Sequence, residues 1–95
     1  MKTGVQLITE EREKQISKHG FTGEHHFNHP EWYDENQLID ASRRLSYKTA
    51  NDSTPTNWDA EWFKNLCDRP YKERLVIAGA LIGAEIDRLS YENDK

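Results

Sequence analysis

The most apolar stretch of the chain runs from Leu75 to Ala84, where every residue is apolar or glycine. This run is too short to span a bilayer, which requires about 20 apolar residues. A helix that is apolar on every side is normally packed by neighbours on more than one side. The pattern therefore predicts a central helix that has Asp68 and Pro70 near its start and ends near Tyr91. The rest of the chain is organised around this helix.

Two glycines and two acids mark special positions on this central helix. Gly79 and Gly83 lie four residues apart, so they share one helix face and predict the close approach of another backbone. Glu85 and Asp87 are about 200° apart around the helix, so they cannot bind the same ion. These acids either form an ion pair with an arginine or contribute to a functional site, and the candidate partners are Arg12, Arg74 and Arg88.

Another helical pattern extends from Thr3 to Lys18. Thr3 suits the N-cap, and Gly20 suits the left-handed residue that ends many helices. Arg12 and Gln15 fall on the same stripe as the isoleucines of this segment, which places both on its inward face. The alternative is that Arg12 is a surface residue whose stem covers apolar area.

The next helix is predicted to begin at Asp34. Asp34 and Gln37, three residues apart, resemble the pair of residues that forms a capping box. The pattern fades over residues 47–50, and a polar linker covers residues 51–57. The apolar stripe of this helix contains Leu38, Ala41 and Leu45.

A short Trp-rich helix is predicted from Trp58 to Cys67, before Pro70. Its apolar positions recur every four residues, at Trp58, Trp62 and Leu66. The segment from Phe21 to Tyr33 has no helical period, and its aromatic residues predict a loop that packs against the helices.

No segment alternates apolar and polar residues as a strand does, so the chain is predicted to be all-α. The predicted fold is a single domain over residues 1–95, a small bundle of three main helices and one short Trp-rich helix, with a fraying polar tail at residues 92–95. Only 35% of the residues are hydrophobic, and so short a chain buries a limited core. Both features predict a homo-oligomer.

Charge and cysteine content narrow the expected partners and compartment. The net charge of -4 argues against binding to a nucleic-acid polymer. Cys67 is the single cysteine, so no internal disulfide can form and a reducing compartment is expected. Residues 1–10 lack the long apolar core of a signal peptide. We therefore expect a cytoplasmic protein with no membrane partner.

The segment with no helical period carries most of the histidines: Glu24, His25, His26 and His29 lie within six residues. Imidazole and carboxylate groups are good ligands for zinc. However, adjacent histidines rarely point at one ion, and the chain has neither an HExxH motif nor a cysteine pair. We therefore predict no metal site. The histidines form either the polar wall of a ligand pocket or an ordinary part of the loop.

Cationic and aromatic residues together suggest a small anionic ligand. The cations that could receive an anion are Arg12, Lys18, His19, Arg43 and Arg44. The aromatic residues that could stack on a base are Phe21, Trp32, Tyr33, Trp58 and Trp62. In an acidic protein, a local basic pocket suits a small anion better than a long polyanion. The alternative is that the tryptophans belong to the core.

Several motifs resemble small phage and mobile-element proteins of the ERxRQ type. The chain has ERxxQ at residues 11–15, KHG at residues 18–20 and an acid–histidine segment at residues 24–26. The motif YxERLxIAGALIxAEIDRL of that group is matched nearly residue for residue by Tyr71 to Leu89. The resemblance covers almost the whole chain and implies kinship with this group without specifying an activity.

More distantly, the order of motifs is similar to MazG-like all-helical nucleotide pyrophosphohydrolases, whose magnesium is held by an EExxE helix and a later ExxD helix. Here the corresponding helices read NQLIDASRR and AEID, so most of the metal-binding acids are missing. The resemblance implies MazG-like packing and a nucleotide-sized pocket between helices. The positions it places around that pocket are Arg12, Gln15, Lys18, His19, His26, Gln37 and Glu85.

Three functions follow from these patterns. The favoured one is a non-catalytic or catalytically degenerate nucleotide-binding phage-type protein, which needs no cofactor and sequesters a nucleotide immune signal of its bacterial host. The first alternative is a magnesium-dependent nucleoside-triphosphate pyrophosphohydrolase. The second alternative is a helical protein-interaction module in which Gly79 and Gly83 serve a subunit interface.

Overall fold

The computed structural model describes residues 1–49 and 53–93, and these ranges contain six helices and no strand. In chain order the helices are α1 Gly4–His19, α2 Gly23–Phe27, α3 Pro30–Tyr33, α4 Gln37–Leu45, α5 Ala60–Cys67 and α6 Tyr71–Asn93. The predicted all-α class is confirmed, with α1, α4 and α6 as the main helices and α5 as the Trp-rich one. Within the same ranges, no helix is both long and apolar enough to cross a membrane.

The 23-residue helix α6 is the centre of the bundle and packs against α1, α2 and α4. The hydroxyl of Ser42 on α4 donates a hydrogen bond of 2.9 Å to the backbone carbonyl of Ala78 on α6. The core between the helices consists of Tyr33, Leu38, Ala41, Leu45, Phe63, Cys67, Ile77, Ala78, Leu81 and Ala84. Neighbours therefore cover α6 on several sides, as predicted, although one apolar stripe of this helix stays exposed to solvent.

Helix α1 has the predicted ends because each end is determined by a capping residue next to it in the sequence. The Thr3 hydroxyl accepts a hydrogen bond from the backbone N–H of Gln6, and Gly20 ends the helix with a φ of 68°. Gln15 is buried and the Arg12 side chain is only 12% exposed, so both point inward. Ile16 was also predicted to point inward, but it is 39% exposed.

The predicted backbone approach at Gly79 and Gly83 is wrong. An added Cβ at Gly79 would lie 2.6 Å from the Ile8 side chain, so a side chain of α1 packs there. Gly83 has more room, with its nearest neighbour, the Arg12 side chain, 3.9 Å from an added Cβ. The close backbone contact is instead made by Gly23, where an added Cβ would overlap the backbone carbonyl of Asp87.

Two corrections concern the middle of the chain. The segment at residues 21–33 contains α2 and α3, which are too short for a helical period to be visible in the sequence. Helix α4 begins at Gln37, because Asn36 takes a left-handed conformation with a φ of 65°. The capping box with Asp34 does not form, since the Gln37 side chain accepts its hydrogen bond from the backbone N–H of Glu35.

Helix α5 begins two residues later than predicted, with Asp59 as its N-cap. The Asp59 carboxylate accepts a hydrogen bond of 2.7 Å from the backbone N–H of Trp62. Phe63 and Cys67 point into the core, whereas Trp62 is 42% exposed. Trp58 and Leu66 are partly buried against the core. The predicted four-residue stripe is therefore the edge of the buried face and not its centre.

Helix α4 ends at Leu45, in agreement with the predicted fading over residues 47–50. Residue 50 of the fading region, residues 51 and 52 of the predicted linker and residues 94 and 95 of the predicted tail lie outside the described residues. Helix α6 continues to Asn93, so the backbone of the first two tail residues is helical.

Candidate functional site

An open cavity of about 370 Å³ lies where the end of α1 meets α2, α3, α4, α5 and α6. Cavities that bind small molecules in proteins are typically about 300–1,000 Å³. Most of the lining is aromatic: Phe21, His25, His26, Trp32, Tyr33, Trp58 and Trp62. The remaining lining residues are Gln15, Leu38, Asn57, Asp59 and Leu81. The cavity therefore has flat apolar walls and a few polar groups.

The short helix α2 holds the histidines of this cavity against α6. It is capped by Thr22, whose hydroxyl accepts a hydrogen bond from the backbone N–H of His25. Because Gly23 has no side chain, the start of α2 can lie directly on the backbone of Asp87. This contact fixes the depth at which His26 enters the bundle.

His26 is the most unusual residue of the cavity. It is 1% exposed, and its Nδ1 atom has no hydrogen-bond partner among the described residues. Its ring centroid lies 4.1 Å from that of Tyr33. Burial, together with the positive charge of Arg12, lowers the pKa of His26 to about 3. The imidazole is therefore neutral at physiological pH, so its unpaired Nδ1 can either donate or accept a hydrogen bond, depending on the tautomer.

Gln15 supplies a second polar group. Its Oε1 accepts a hydrogen bond of 3.4 Å from the Arg12 guanidinium, and its Nε2 donates one of 3.5 Å to the Glu11 carboxylate. Both bonds are long, because good N–H···O bonds are about 2.9–3.0 Å. The Arg12 guanidinium is held more tightly by Asp87, at 2.7 Å. The amide of Gln15 can therefore exchange these weak bonds for bonds to a ligand.

The aromatic walls are held in place by hydrogen bonds and ring contacts. The indole N–H of Trp58 donates a hydrogen bond of 2.7 Å to the backbone carbonyl of Trp32. The ring of Trp58 contacts those of Tyr33 and Trp62 edge to face, at 6.3 and 5.8 Å. Burial raises the pKa of Tyr33 to about 12, so its phenol stays neutral. These walls suit a flat ring better than an aliphatic chain.

The low pKa of His26 predicts that the folded state loses stability in acid. Because folding keeps His26 neutral, the unfolded chain binds more protons between about pH 6.5 and pH 3, and stability falls as pH drops through that window. The loss should approach about 1.4 kcal/mol per pH unit. His25, whose pKa is also lowered, contributes in the same direction.

The measurement for this prediction is urea unfolding of the wild type and of His26→Phe between about pH 7 and pH 5. The variant lacks the titrating ring, so its stability should depend much less on pH. Equal pH slopes for the two proteins would contradict the prediction.

Two of the seven residues expected around a pocket line the cavity, three lie beside it, and two lie elsewhere. Gln15 and His26 line the cavity, and Arg12 lies behind Gln15. Lys18 and His19 are exposed in the last turn of α1, three and four residues beyond Gln15, so they share its side of the helix. The His19 ring lies 5.3 Å from that of Phe21, which places His19 at the edge of the cavity.

The other two expected site residues do not line the cavity. Gln37 is fully buried, and its amide donates hydrogen bonds to the backbone carbonyls of Glu31 and Thr56, which joins two loops. Glu85 forms an ion pair of 2.7 Å with Arg88. Both side chains therefore support the structure around the cavity.

Some features of the cavity were not predicted from the sequence. Leu38 and Leu81 form its apolar floor and look like ordinary core residues in the sequence. Asn57 and Asp59 lie at a turn, where Asn57 has a φ of 68°. Asparagine before a helix cap is a recognisable turn signal, but it does not indicate which cavity the turn borders.

No three His, Cys, Asp or Glu side chains in the described ranges are grouped so that they could hold a metal ion. Two of the arginines considered as anion receptors, Arg43 and Arg44, form ion pairs with Asp40.

Comparison with protein-family models, with curated proteins and with solved structures found no match to this chain.

Proposed function

We propose that this protein binds a nucleotide-like small anion and holds it without hydrolysing it, with the base inside the aromatic cavity and the phosphate at its mouth. The observation that carries this proposal is the buried, unpartnered Nδ1 of His26 in a cavity lined by aromatic rings. Buried polar atoms of native proteins nearly always have a partner, and a ligand inside the cavity would supply one.

The aromatic walls of the cavity suit the flat face of a nucleobase, and its polar groups suit the polar edge of the base. Stacking of a base on an aromatic side chain contributes about 1–3 kcal/mol and tolerates different bases. The polar edge of the base would then bind His26 Nδ1 and the amide of Gln15, whose present bonds are long. The cavity therefore favours a flat heterocycle over a purely aliphatic or purely ionic ligand.

The phosphate part of the ligand would lie outside the cavity. His25 and His26 have lowered pKa values, and the remaining lining residues include no lysine or arginine. Lys18 and His19 lie near the edge of the cavity, on the Gln15 side of α1. These two residues are the expected phosphate contacts.

Binding is favoured over hydrolysis because Glu85 and Asp87 of α6 already have partners. Asp87 pairs with Arg12 and Glu85 pairs with Arg88, both at 2.7 Å. A magnesium-dependent pyrophosphohydrolase would need several carboxylates that converge on the metal. A protein that sequesters a nucleotide signal needs only tight binding, and this role rests on the resemblance to small phage proteins.

The proposal is tested by a thermal-shift screen of nucleoside triphosphates, cyclic nucleotides and ADP-ribose derivatives, with and without magnesium. A ligand present at 100 times its Kd should stabilise the fold by about 2.7 kcal/mol. We expect a magnesium-independent shift, with the ligand recovered intact after denaturation. Consumption of the ligand with magnesium would identify an enzyme instead, and no shift with any nucleotide would contradict the proposal.

Replacing one wall of the cavity should weaken binding of whichever nucleotide stabilises the wild type. Trp62 lines the cavity and is 42% exposed, so Trp62→Ala should leave the fold intact. Loss of one stacking ring should raise the Kd about fivefold or more. Tyr47→Ala is the matched control, because Tyr47 is an exposed aromatic residue outside the cavity. Equal Kd values for Trp62→Ala and wild type, measured by calorimetry, would place the ligand elsewhere.

A further inference from the structure

The exposed side of α6 carries an apolar stripe that no other part of the described chain covers. Its five residues are 37–58% exposed: Tyr71, Leu75, Ile82, Ile86 and Leu89. At 100° per residue, all five fall within an arc of about 60°. From Leu75 to Leu89, no charged residue falls inside this arc. The stripe runs nearly the whole length of the helix that organises the fold.

The spacing of this stripe is symmetric about Ile82. Leu75 and Leu89 are each seven residues away from Ile82, which is close to two helical turns. Two copies of α6 that cross antiparallel at Ile82 would therefore bring Leu75 of each copy against Leu89 of the other. A twofold interface requires this kind of self-complementary surface.

Charge favours the antiparallel arrangement over a parallel one. Lys72 is exposed beside the amino-terminal end of the stripe. In an antiparallel pair it would lie near the carboxyl end of the partner's helix, where the helix dipole is negative. In a parallel pair, the two copies of Lys72 would lie side by side and repel each other.

The size of the stripe indicates a weak dimer. Standard stable interfaces bury about 800 Å² on each partner, around an apolar centre with a polar rim. A single helix face supplies the apolar centre but only part of that area, so association should depend on concentration in the micromolar range or above.

We propose that the Tyr71–Leu89 face of α6 is the interface of an antiparallel homodimer, with Ile82 at its twofold axis. The proposal does not depend on ligand binding, because the stripe is separate from the residues that line the cavity. Its test therefore uses the protein alone.

The first experiment is sedimentation velocity of the full chain between about 1 µM and 1 mM, the range in which weak complexes form. The wild type should shift from 11.2 kDa towards twice that mass as concentration rises. Ile82→Lys should stay monomeric over the whole range, with an unchanged helical circular dichroism spectrum because Ile82 is 45% exposed. Wild-type protein that stays monomeric throughout would overturn the proposal.

The second experiment reads the register by oxidative cross-linking. Ile82→Cys should cross-link to itself, and a mixture of Leu75→Cys with Leu89→Cys should cross-link, because disulfides need Cα atoms within about 7 Å. Leu75→Cys alone should not, because its two copies would lie about 21 Å apart. The wild type, whose Cys67 is buried, is the control. Efficient cross-linking of Leu75→Cys alone would overturn the antiparallel arrangement.

Discussion

Arg74→Ala is expected to destabilise the fold by about 3–5 kcal/mol, a large part of the roughly 5–15 kcal/mol that stabilises a typical domain. Arg74 is 5% exposed at the start of α6. Its guanidinium donates hydrogen bonds to the backbone carbonyls of Leu45, Tyr47, Lys48 and Arg69, at distances from 2.6 to 3.1 Å.

These bonds explain why the effect should be large. Leu45 is the last residue of α4, and the final carbonyls of a helix have no partner within the helix. Arg74 satisfies this end of α4 and holds the following residues against α6. Alanine would leave buried carbonyls without donors, which costs about 1–3 kcal/mol for each group that water cannot reach.

Urea unfolding followed by circular dichroism measures this effect. Arg69→Ala is the matched control, because the Arg69 side chain is largely exposed and its ion pair with Glu73 is 3.8 Å long. An exposed pair of this kind contributes less than about 1 kcal/mol. Arg74→Lys should fall between the two, since an ammonium group cannot reach all the carbonyls at once. Equal stabilities for Arg74→Ala and Arg69→Ala would contradict this interpretation of Arg74.

The features that could be predicted from the sequence are those that depend on residues close together along the chain. Thr3 and Gly20 mark the ends of α1 because caps depend on a few adjacent residues. Glu85 and Arg88 are three residues apart on one helix, so their ion pair follows from helical spacing. The apolar run of α6 identified the central helix for the same reason.

The parts that were missed depend on contacts between distant residues. Gln37 resembles half of a capping box, but its amide binds the Glu31 and Thr56 carbonyls after the loops have folded around it. The exposed stripe of α6 cannot be told from its buried face by sequence, because leucine and isoleucine occur on both. Only the positions of the neighbouring helices separate the two.

The cavity was predictable from the sequence only in part. Its aromatic residues were candidates for stacking from their type alone, but the sequence did not indicate that α2 and α3 exist. Helices of four or five residues form because surrounding contacts hold them, since isolated helices that short are unstable in water. For α2, the decisive contact is the one between Gly23 and Asp87, which the sequence does not reveal.

Gly23→Ala should therefore damage both the fold and the cavity. An added Cβ would overlap the carbonyl oxygen of Asp87 and lie 2.8 Å from its carbonyl carbon. These atoms belong to the backbone of α6, which cannot move without breaking helical hydrogen bonds, so α2 has to move outward. We expect a loss of about 1–3 kcal/mol in stability, the usual cost of overpacking. His26, three residues further along α2, would move with it.

Gly83→Ala provides a matched comparison on α6 itself, one turn before Asp87 on the same face of the helix. Its added Cβ would lie 3.9 Å from the Arg12 side chain, an ordinary contact. Because alanine is a better helix former than glycine by up to about 1 kcal/mol, Gly83→Ala should be as stable as the wild type or more stable. The urea midpoint should therefore fall for Gly23→Ala and stay unchanged or rise for Gly83→Ala.

The two glycine variants should also differ in nucleotide affinity. With a nucleotide that stabilises the wild type, Gly23→Ala should bind at least about fivefold more weakly, because displacement of α2 removes the His26 contact, worth at least about 1 kcal/mol. Gly83→Ala should bind as the wild type does. If Gly23→Ala were destabilised but bound the nucleotide normally, α2 would be a structural element only, and the ligand would not depend on His26.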